Sequence, residues 1–314
     1  MGMKVEELDS IEFGKRFPEP NHVFNKPEFN LLNKAKVSEV LFLAFSNNNK
    51  SNIGIIGGVS NNQFRSPFSA PFGGWCYKGG VDIEELELAY DALENYLSAK
   101  QVKGIRITMP PLFYNESEIS VIWNVFHRKK YSIVSNDLNF QFNLGNFTEN
   151  YLQDVAYNAR KNYNAGMRAG LCFYKVSEPE KIKEAYDIIS ENRKQRGFPL
   201  KMSFDNILET NSIIDADFFI VTDNAGKNAA AAMVFKVTDK IVQVVYWGHL
   251  AEFSSFKPVN FLSYNLFDYY KKMGMEYVDI GPSTENSIPN YGLVEFKRSI
   301  GCDVSPKLTF EKEI

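Results

Sequence analysis

The sequence predicts an α/β protein built as two domains of one element order, each a mixed antiparallel and parallel sheet flanked by helices. Three observations predict it. At 314 residues the chain can fill two cores of ordinary size. Apolar runs of strand length alternate with stripes of helical period. Laying the chain on itself at an offset of 172 residues places strand 105–109 on 277–281, Pro110 on Pro282 and helix 84–100 on 256–272.

Taken in order, residues 41–46 read as a strand, Asn47-Asn48-Asn49-Lys50 as a polar turn, and residues 53–59 as a second strand. The Pro/Gly segment 66–74 is irregular. Leu86, Tyr90, Leu93 and Leu97 fall on one stripe, which predicts a helix over 84–100. Residues 105–109 form a short strand closed by Pro110-Pro111, which cannot extend a ladder. A helix over 118–130 and a strand over 139–144 follow. The polar stretch 145–150 marks the expected boundary, giving domains 1–146 and 147–314.

The second domain opens with a helix over 151–170 and the apolar strand 171–176. Strands 218–222 and 230–237 flank the turn Asp223-Asn224-Ala225-Gly226, and 241–247 is the third strand of that meander. Val259, Leu262, Leu266 and Met273 predict a helix over 258–273 with Pro258 at its first position. Strand 277–280, helix 291–299 and strand 305–310 complete the chain. A helix joins 241–247 to 277–280, so these two strands run parallel, and a ligand site is expected where they diverge, near 247–260 and 281–290.

Residues 276–302 are the most informative stretch. Asp279-Ile280-Gly281-Pro282 ends a strand, and Asn290-Tyr291-Gly292-Leu293-Val294-Glu295-Phe296-Lys297 opens a helix that leads to Gly301. This pattern resembles the closing element of GNAT-like N-acyltransferases, in the tandem-domain branch that includes the Fem peptidyltransferases. Arg160 ten residues before Gly170, ahead of an apolar strand, is similar to that branch too, as are Ser66-Pro67-Phe68 with Phe72-Gly73-Gly74 and Arg106 to Pro110. The resemblance implies two tandem GNAT-like domains and an N-acyltransferase with the active site in the second. It implies an activated acyl donor, acyl-CoA as co-substrate, and a small-molecule or peptide amine as acceptor. The Arg/Gln-x-x-Gly-x-Gly/Ala donor loop of standard GNATs is absent. The Fem-type branch, whose donors are aminoacyl-tRNAs, lacks it as well. Hence a tRNA-dependent cell-wall peptidyltransferase stands as an alternative, and a non-catalytic metabolite-binding protein of this fold as another.

Lys297 is the first catalytic candidate, because a cation aimed at a developing oxyanion lowers the barrier. With Phe296 packed inward, it is expected at the edge of the core. His249, beside the expected site, is a candidate base toward an amine. Asp279 is the other candidate base, or else an acceptor of loop N–H bonds at the Gly281 turn. Ser254, Ser255, Lys257 and Asn260 surround a helix start suited to a donor phosphate. Arg160, Tyr246, Trp247, Asn290 and Arg65 are the candidate substrate contacts.

Several classes are excluded. No Walker loop, Gly-x-Gly-x-x-Gly, Gly-x-Ser-x-Gly or His-Glu-x-x-His occurs. A net charge of −3 shows no footprint for DNA. Cys76, Cys172 and Cys302 lack metal-ligand spacing, so no metal is expected, and unpaired thiols fit a cytoplasmic protein; the Fem-type resemblance implies a bacterial one. Residues 1–16 read as neither signal nor transit peptide, and no apolar run approaches the ~20 residues of a membrane span.

Overall fold

Alternation in residues 41–45 sends side chains to two cores. Leu41, Leu43 and Phe45 enter one apolar cluster, and Phe42 and Ala44 enter another, so this strand is covered on both faces. In the computed structural model, which describes residues 3–47 and 50–314, it is β2 (Glu39–Asn47). Asn48 and Asn49 of the expected turn lie outside the described residues.

The chain divides into two units, Met1–Leu138 with Ser305–Ile314, and Asn139–Val304. In the first unit β1 (Lys4–Leu8), β2, β3 (Lys50–Ser60) and β4 (Gln63–Ser66) form an antiparallel meander, with β5 (Trp75–Tyr77) paired on β3. β4 runs parallel to β6 (Gly104–Thr108). Helices α1 (Ser10–Arg16) and α2 (Pro27–Leu32) precede β2, and α3 (Ile83–Ala99) and α4 (Glu116–Arg128) flank β6 in sequence. The predicted stripe of α3 is fully buried: Leu86, Tyr90, Leu93 and Leu97 expose at most 1%. Asp82 caps this helix by accepting from the Glu85 N–H.

The sixth strand of the first unit comes from the far end of the chain. β15 (Asp303–Glu313) pairs antiparallel with β6, Thr309 facing Thr108 and Glu313 facing Gly104. Phe310 stacks on Phe126 of α4 at 4.2 Å between centroids. A division at 146/147 would separate that strand from its partners, which is why residues 305–314 group with the first unit rather than with 147–304. β7 (Ser132–Asn143) sends its end, from Asn139, into the second unit, where it pairs antiparallel with β12 (Tyr277–Pro282).

The second unit repeats the strand order. β8 (Cys172–Val176), β9 (Ala216–Thr222), β10 (Asn228–Lys236) and β11 (Ile241–His249) are antiparallel neighbours, and β11 runs parallel to β12. Expected helix 151–170 is two helices, α5 (Tyr151–Asp154) and α6 (Tyr157–Arg168), because Val155 and Ala156 are extended. Residues 177–215, left without elements in the sequence reading, hold α7 (Pro179–Gln195) and α8 (Phe204–Asn211). α9 (Pro258–Lys272) buries Phe261, Leu262, Leu266, Phe267 and Tyr270; Met273, counted on its stripe, lies past its end and is exposed. A small hairpin, β13 (Thr284–Glu285) with β14 (Ile288–Pro289), precedes α10 (Tyr291–Ser299).

The exchange of the last strand is testable by Phe310→Ala, which should destabilise by about 3–5 kcal/mol. Hydrogen exchange should show the loss at residues 41–45 and 105–107, with 218–221 unchanged. Loss confined to the second unit would contradict the assignment of β15.

Candidate functional site

The site is built where β11 and β12 part. They pair over three rows, Ile241 with Tyr277, Val242 with Val278 and Gln243 with Asp279. Beyond these, the register of β11 against β10 shifts, so that Tyr246 faces Met233 while Val244 faces Val234. Such a bulge bends a strand and increases its twist. β12 meanwhile ends in the turn at Gly281, whose φ of +72° suits a residue without a Cβ. The stretch of β11 from Val244 to His249 therefore has no partner row on β12, and a wedge opens with strand backbone on one wall.

Asp279 and Lys297 stand at the apex of this wedge. Asp279 is fully buried; Oδ1 accepts from Asn139 Nδ2 at 2.7 Å and from the Gly281 N–H at 2.8 Å, and Oδ2 accepts from Gln243 Nε2 at 2.8 Å. Lys297 is buried, and its Nζ donates to the carbonyls of Gly281 at 2.8 Å and Pro282 at 3.0 Å. The ammonium also lies 5.4 Å from the centre of the Phe140 ring. This reverses the expected orientation of α10: Lys297 points inward, while Phe296 is half-buried, with its ring edge-on to Trp247 at 5.9 Å. Nearby, burial pushes the Cys302 thiol well up, and the Lys297 charge pulls partly against it. Ser283 was not singled out in the sequence; its buried hydroxyl, two residues past Gly281, has no hydrogen-bond partner.

His249 lies at the end of β11. Its Nε2 is 3.1 Å from Ser254 Oγ, which donates its own proton to the Ala251 carbonyl at 2.7 Å. Ser254 must then accept from His249, so Nε2 carries the ring proton and Nδ1 holds the lone pair. That Nδ1 is buried and has no partner. Burial foremost, and then the charges of Arg196 and Lys257, hold the His249 pKa below its ordinary value. α7 packs here: Asn192 Nδ2 donates to the His249 carbonyl at 2.7 Å, and a Cβ on Gly248 would come within 2.8 Å of the Asn192 side chain. Arg193 of the same helix lies 5.4 Å from the Tyr246 ring centre. Neither arginine was singled out, although Ile182, Ala185, Ile188 and Ile189 carry a helical stripe that could have placed them.

At the start of α9, Ser254, Ser255 and Lys257 are exposed, and Lys257 is left-handed, with φ of 57°. The Asn260 and Phe261 N–H groups donate to the Lys257 carbonyl, and Pro258 has none to offer. Only Val259 of that turn is left to face an anion, fewer donors than a glycine-rich loop would present. Asn260 is buried and accepts from Asn162 of α6, so its amide is committed to helix packing. Asn290 caps α10 by accepting from the Leu293 N–H. Arg160 donates weakly to the Leu152 carbonyl at 3.4 Å and lies over Tyr157. Arg65 belongs to the first unit, exposed on β4 and bonded to Gln63. The structure thus gathers Lys297, Asp279 and Trp247 at the wedge and His249, Ser254, Lys257 and Tyr246 at the end of β11. Arg160 and Asn260 are instead bonded to neighbouring helices. Among the described residues no group of three or more His, Cys, Asp and Glu is placed to hold a metal, and no helix is long and apolar enough to cross a membrane.

No family profile and no curated protein matches the sequence. Solved structures do. The chain is similar to FemX (TM-score 0.73, 11% identity, 99% of this chain and 98% of that one). It is also similar to L-PGS from Bacillus licheniformis (0.64, 14%, 97% and 92%) and to a tandem GNAT protein from the clavulanic acid biosynthesis pathway (0.56, 8%, 99% and 98%). These likenesses establish the fold: two GNAT-like units in tandem.

Because Lys297 satisfies two carbonyls from a buried position, Lys297→Met should lower unfolding free energy by about 2 kcal/mol. The amides of residues 281–283 should lose exchange protection. Unchanged stability and protection would show that the ammonium does not hold this turn.

Proposed function

We propose that the second unit is an N-acyltransferase that passes an acyl group from a carrier to an amine, with acyl-CoA as the donor. One observation carries this reading. The wedge between β11 and β12 lays the edge of residues 244–249 that β12 leaves unpaired along one wall, and a donor's extended arm can add to such an edge as a strand would. Backbone N–H groups there are fixed dipoles for the oxyanion of a tetrahedral intermediate. The attacking amine forms the new C–N bond, the carrier departs on its sulfur or oxygen, and the amine proton passes to a base.

His249 is the proposed base, neutral at physiological pH because its pKa is held down. Its lone pair at Nδ1 is shielded in this conformation, so substrate binding must open it. Lys297 and Asp279 are proposed as positioning residues that hold the turn closing the wedge. Arg196 and Lys257 supply positive charge where few N–H groups face outward, and Trp247 and Tyr246 shape the mouth.

The Fem-type resemblance supports a second reading, in which the carrier is tRNA and the group aminoacyl; the likeness to FemX over nearly the whole chain favours it. Melting with a panel of acyl-CoA thioesters separates the two. Stabilisation by one acyl chain length and not by free coenzyme A is expected for the first reading. Aminoacyl-tRNA binding that falls steeply with salt is expected for the second. Neither response would sink acyl transfer.

The pH profile tests the base. Since the folded pKa of His249 lies below 6.5, turnover should hold at neutral pH and fall in acid, with its midpoint below 6.5. His249→Gln should lower turnover at neutral pH by ~10²-fold, as for loss of a general base, and flatten the acid limb. An acid limb unchanged in that variant would exclude His249.

A further inference from the structure

The first unit contains a pocket of about 90 Å³ that the acyltransfer reading does not use. Asn21, His22, Trp75, Tyr77, Tyr114 and Asn115 are among its lining residues, with apolar side chains of α4 and of the two residues that follow β6 beyond them. No Asp, Glu, Lys or Arg lines it. His22, 4% exposed, adds no charge either, because burial pushes its pKa down to about 4. Its ring is held edge-on to Phe72 at 4.9 Å, with Nε2 3.4 Å from the Gly73 carbonyl. The pocket is therefore electrically neutral at physiological pH.

Its two carboxamides are oriented by the protein. Asn21 Oδ1 accepts from the Tyr77 N–H at 3.3 Å. Asn115 Oδ1 accepts from the Glu118 N–H at 3.2 Å, as the cap of α4. Each amide thus spends its oxygen on the backbone, and neither the half-buried Asn21 nor the exposed Asn115 donates its –NH2 to any described residue. Two oriented neutral donors beside aromatic walls suit a neutral acceptor. No cation lines the pocket to hold an anion, and no carboxylate to hold an ammonium. The size fits a small group: a dry cavity of about 150 Å³ takes a benzene, so this one takes an amide with one or two methyls.

We propose that this pocket binds an uncharged carbonyl group, an amide in particular, through the –NH2 groups of Asn21 and Asn115. Amides present a strong neutral acceptor, and their methyl ends can lie against Trp75 and Tyr77. The site is separate from the acyl-transfer reading and stands whether or not that reading holds.

The test uses the full chain and four probes of similar size: N-methylacetamide, acetate, methylammonium and dimethyl ether. Binding is followed by protein-detected NMR at residues 73–77 and 113–119. Saturable shifts are expected with N-methylacetamide, and at least tenfold weaker ones with each other probe. Asn21→Asp and Asn115→Asp retain the oxygen that each backbone N–H needs and replace the donor –NH2, so both should fold with melting temperatures near that of the parent. Each should weaken N-methylacetamide at least tenfold, and the pair should gain binding of methylammonium. Equal binding of acetate or dimethyl ether, an undiminished response in the Asp variants, or no saturable response in the parent chain would each overturn the proposal.

Discussion

The wedge in the second unit depends on a buried polar knot. Asp279 gathers N–H donors from β7, β11 and the Gly281 turn, and Lys297 gathers the two carbonyls of the same turn. Buried charged groups are tolerated only when hydrogen bonds replace their lost water. Here those bonds join three strands and one helix at the row where β11 and β12 stop pairing. A hydrophobic substitute could fill the space, yet it could not hold a left-handed Gly281 and stop the strand at one residue. The knot thus trades packing simplicity for a defined end to the sheet.

Both units have the same six-strand order, with one parallel pair in an otherwise antiparallel sheet; the sixth strand is β15, from the end of the chain, in the first unit and β7, from mid-chain, in the second. What differs is the use of the parallel pair. In the first unit β4 is short and pairs with β6 along its whole length, Gln63 with Gly104 through Ser66 with Ile107. In the second, β11 is nine residues long but pairs with β12 over only three rows. The extra length of β11 makes a wall, and the short β4 leaves none. One architecture can therefore hold a wedge in one unit and a small lined pocket in the other.

Much of this was legible in the sequence. Period and turn residues placed most strands and four helices, because apolar stripes such as Leu86 to Leu97 leave a strong signal. α7 is highly polar, though its isoleucines mark its inner face, and α8 is only eight residues long, so neither leaves a strong periodic signal. The N-terminal strand Lys4–Leu8 was hidden by its charges, as edge strands often are. Within the candidate site, Asp279 and Lys297 come from the segment 276–302 that the sequence singled out, and they lie together at the wedge. The direction of Lys297 did not follow. One helical step decides whether Phe296 or Lys297 faces inward, and only the carbonyls of Gly281 and Pro282, fifteen residues away or more, make the lysine the better buried choice.

The placement of β15 bears on synthesis. A ribosome delivers residues in order, and a domain folds once its own strands have emerged. For the first unit that moment comes only after residues 305–313, because β6 faces the missing strand until then. The whole second unit, residues 139–304, is made while the flank of β6 stays bare, a template for mispairing with another nascent chain. The charged and polar side chains of β6 and β15, Arg106 with Glu311 and Thr108 with Thr309, give that edge a matching register that a foreign strand would lack. In this protein the order of manufacture and the order of folding are different, and the pairing between 104–108 and 309–313 is the step that reconciles them.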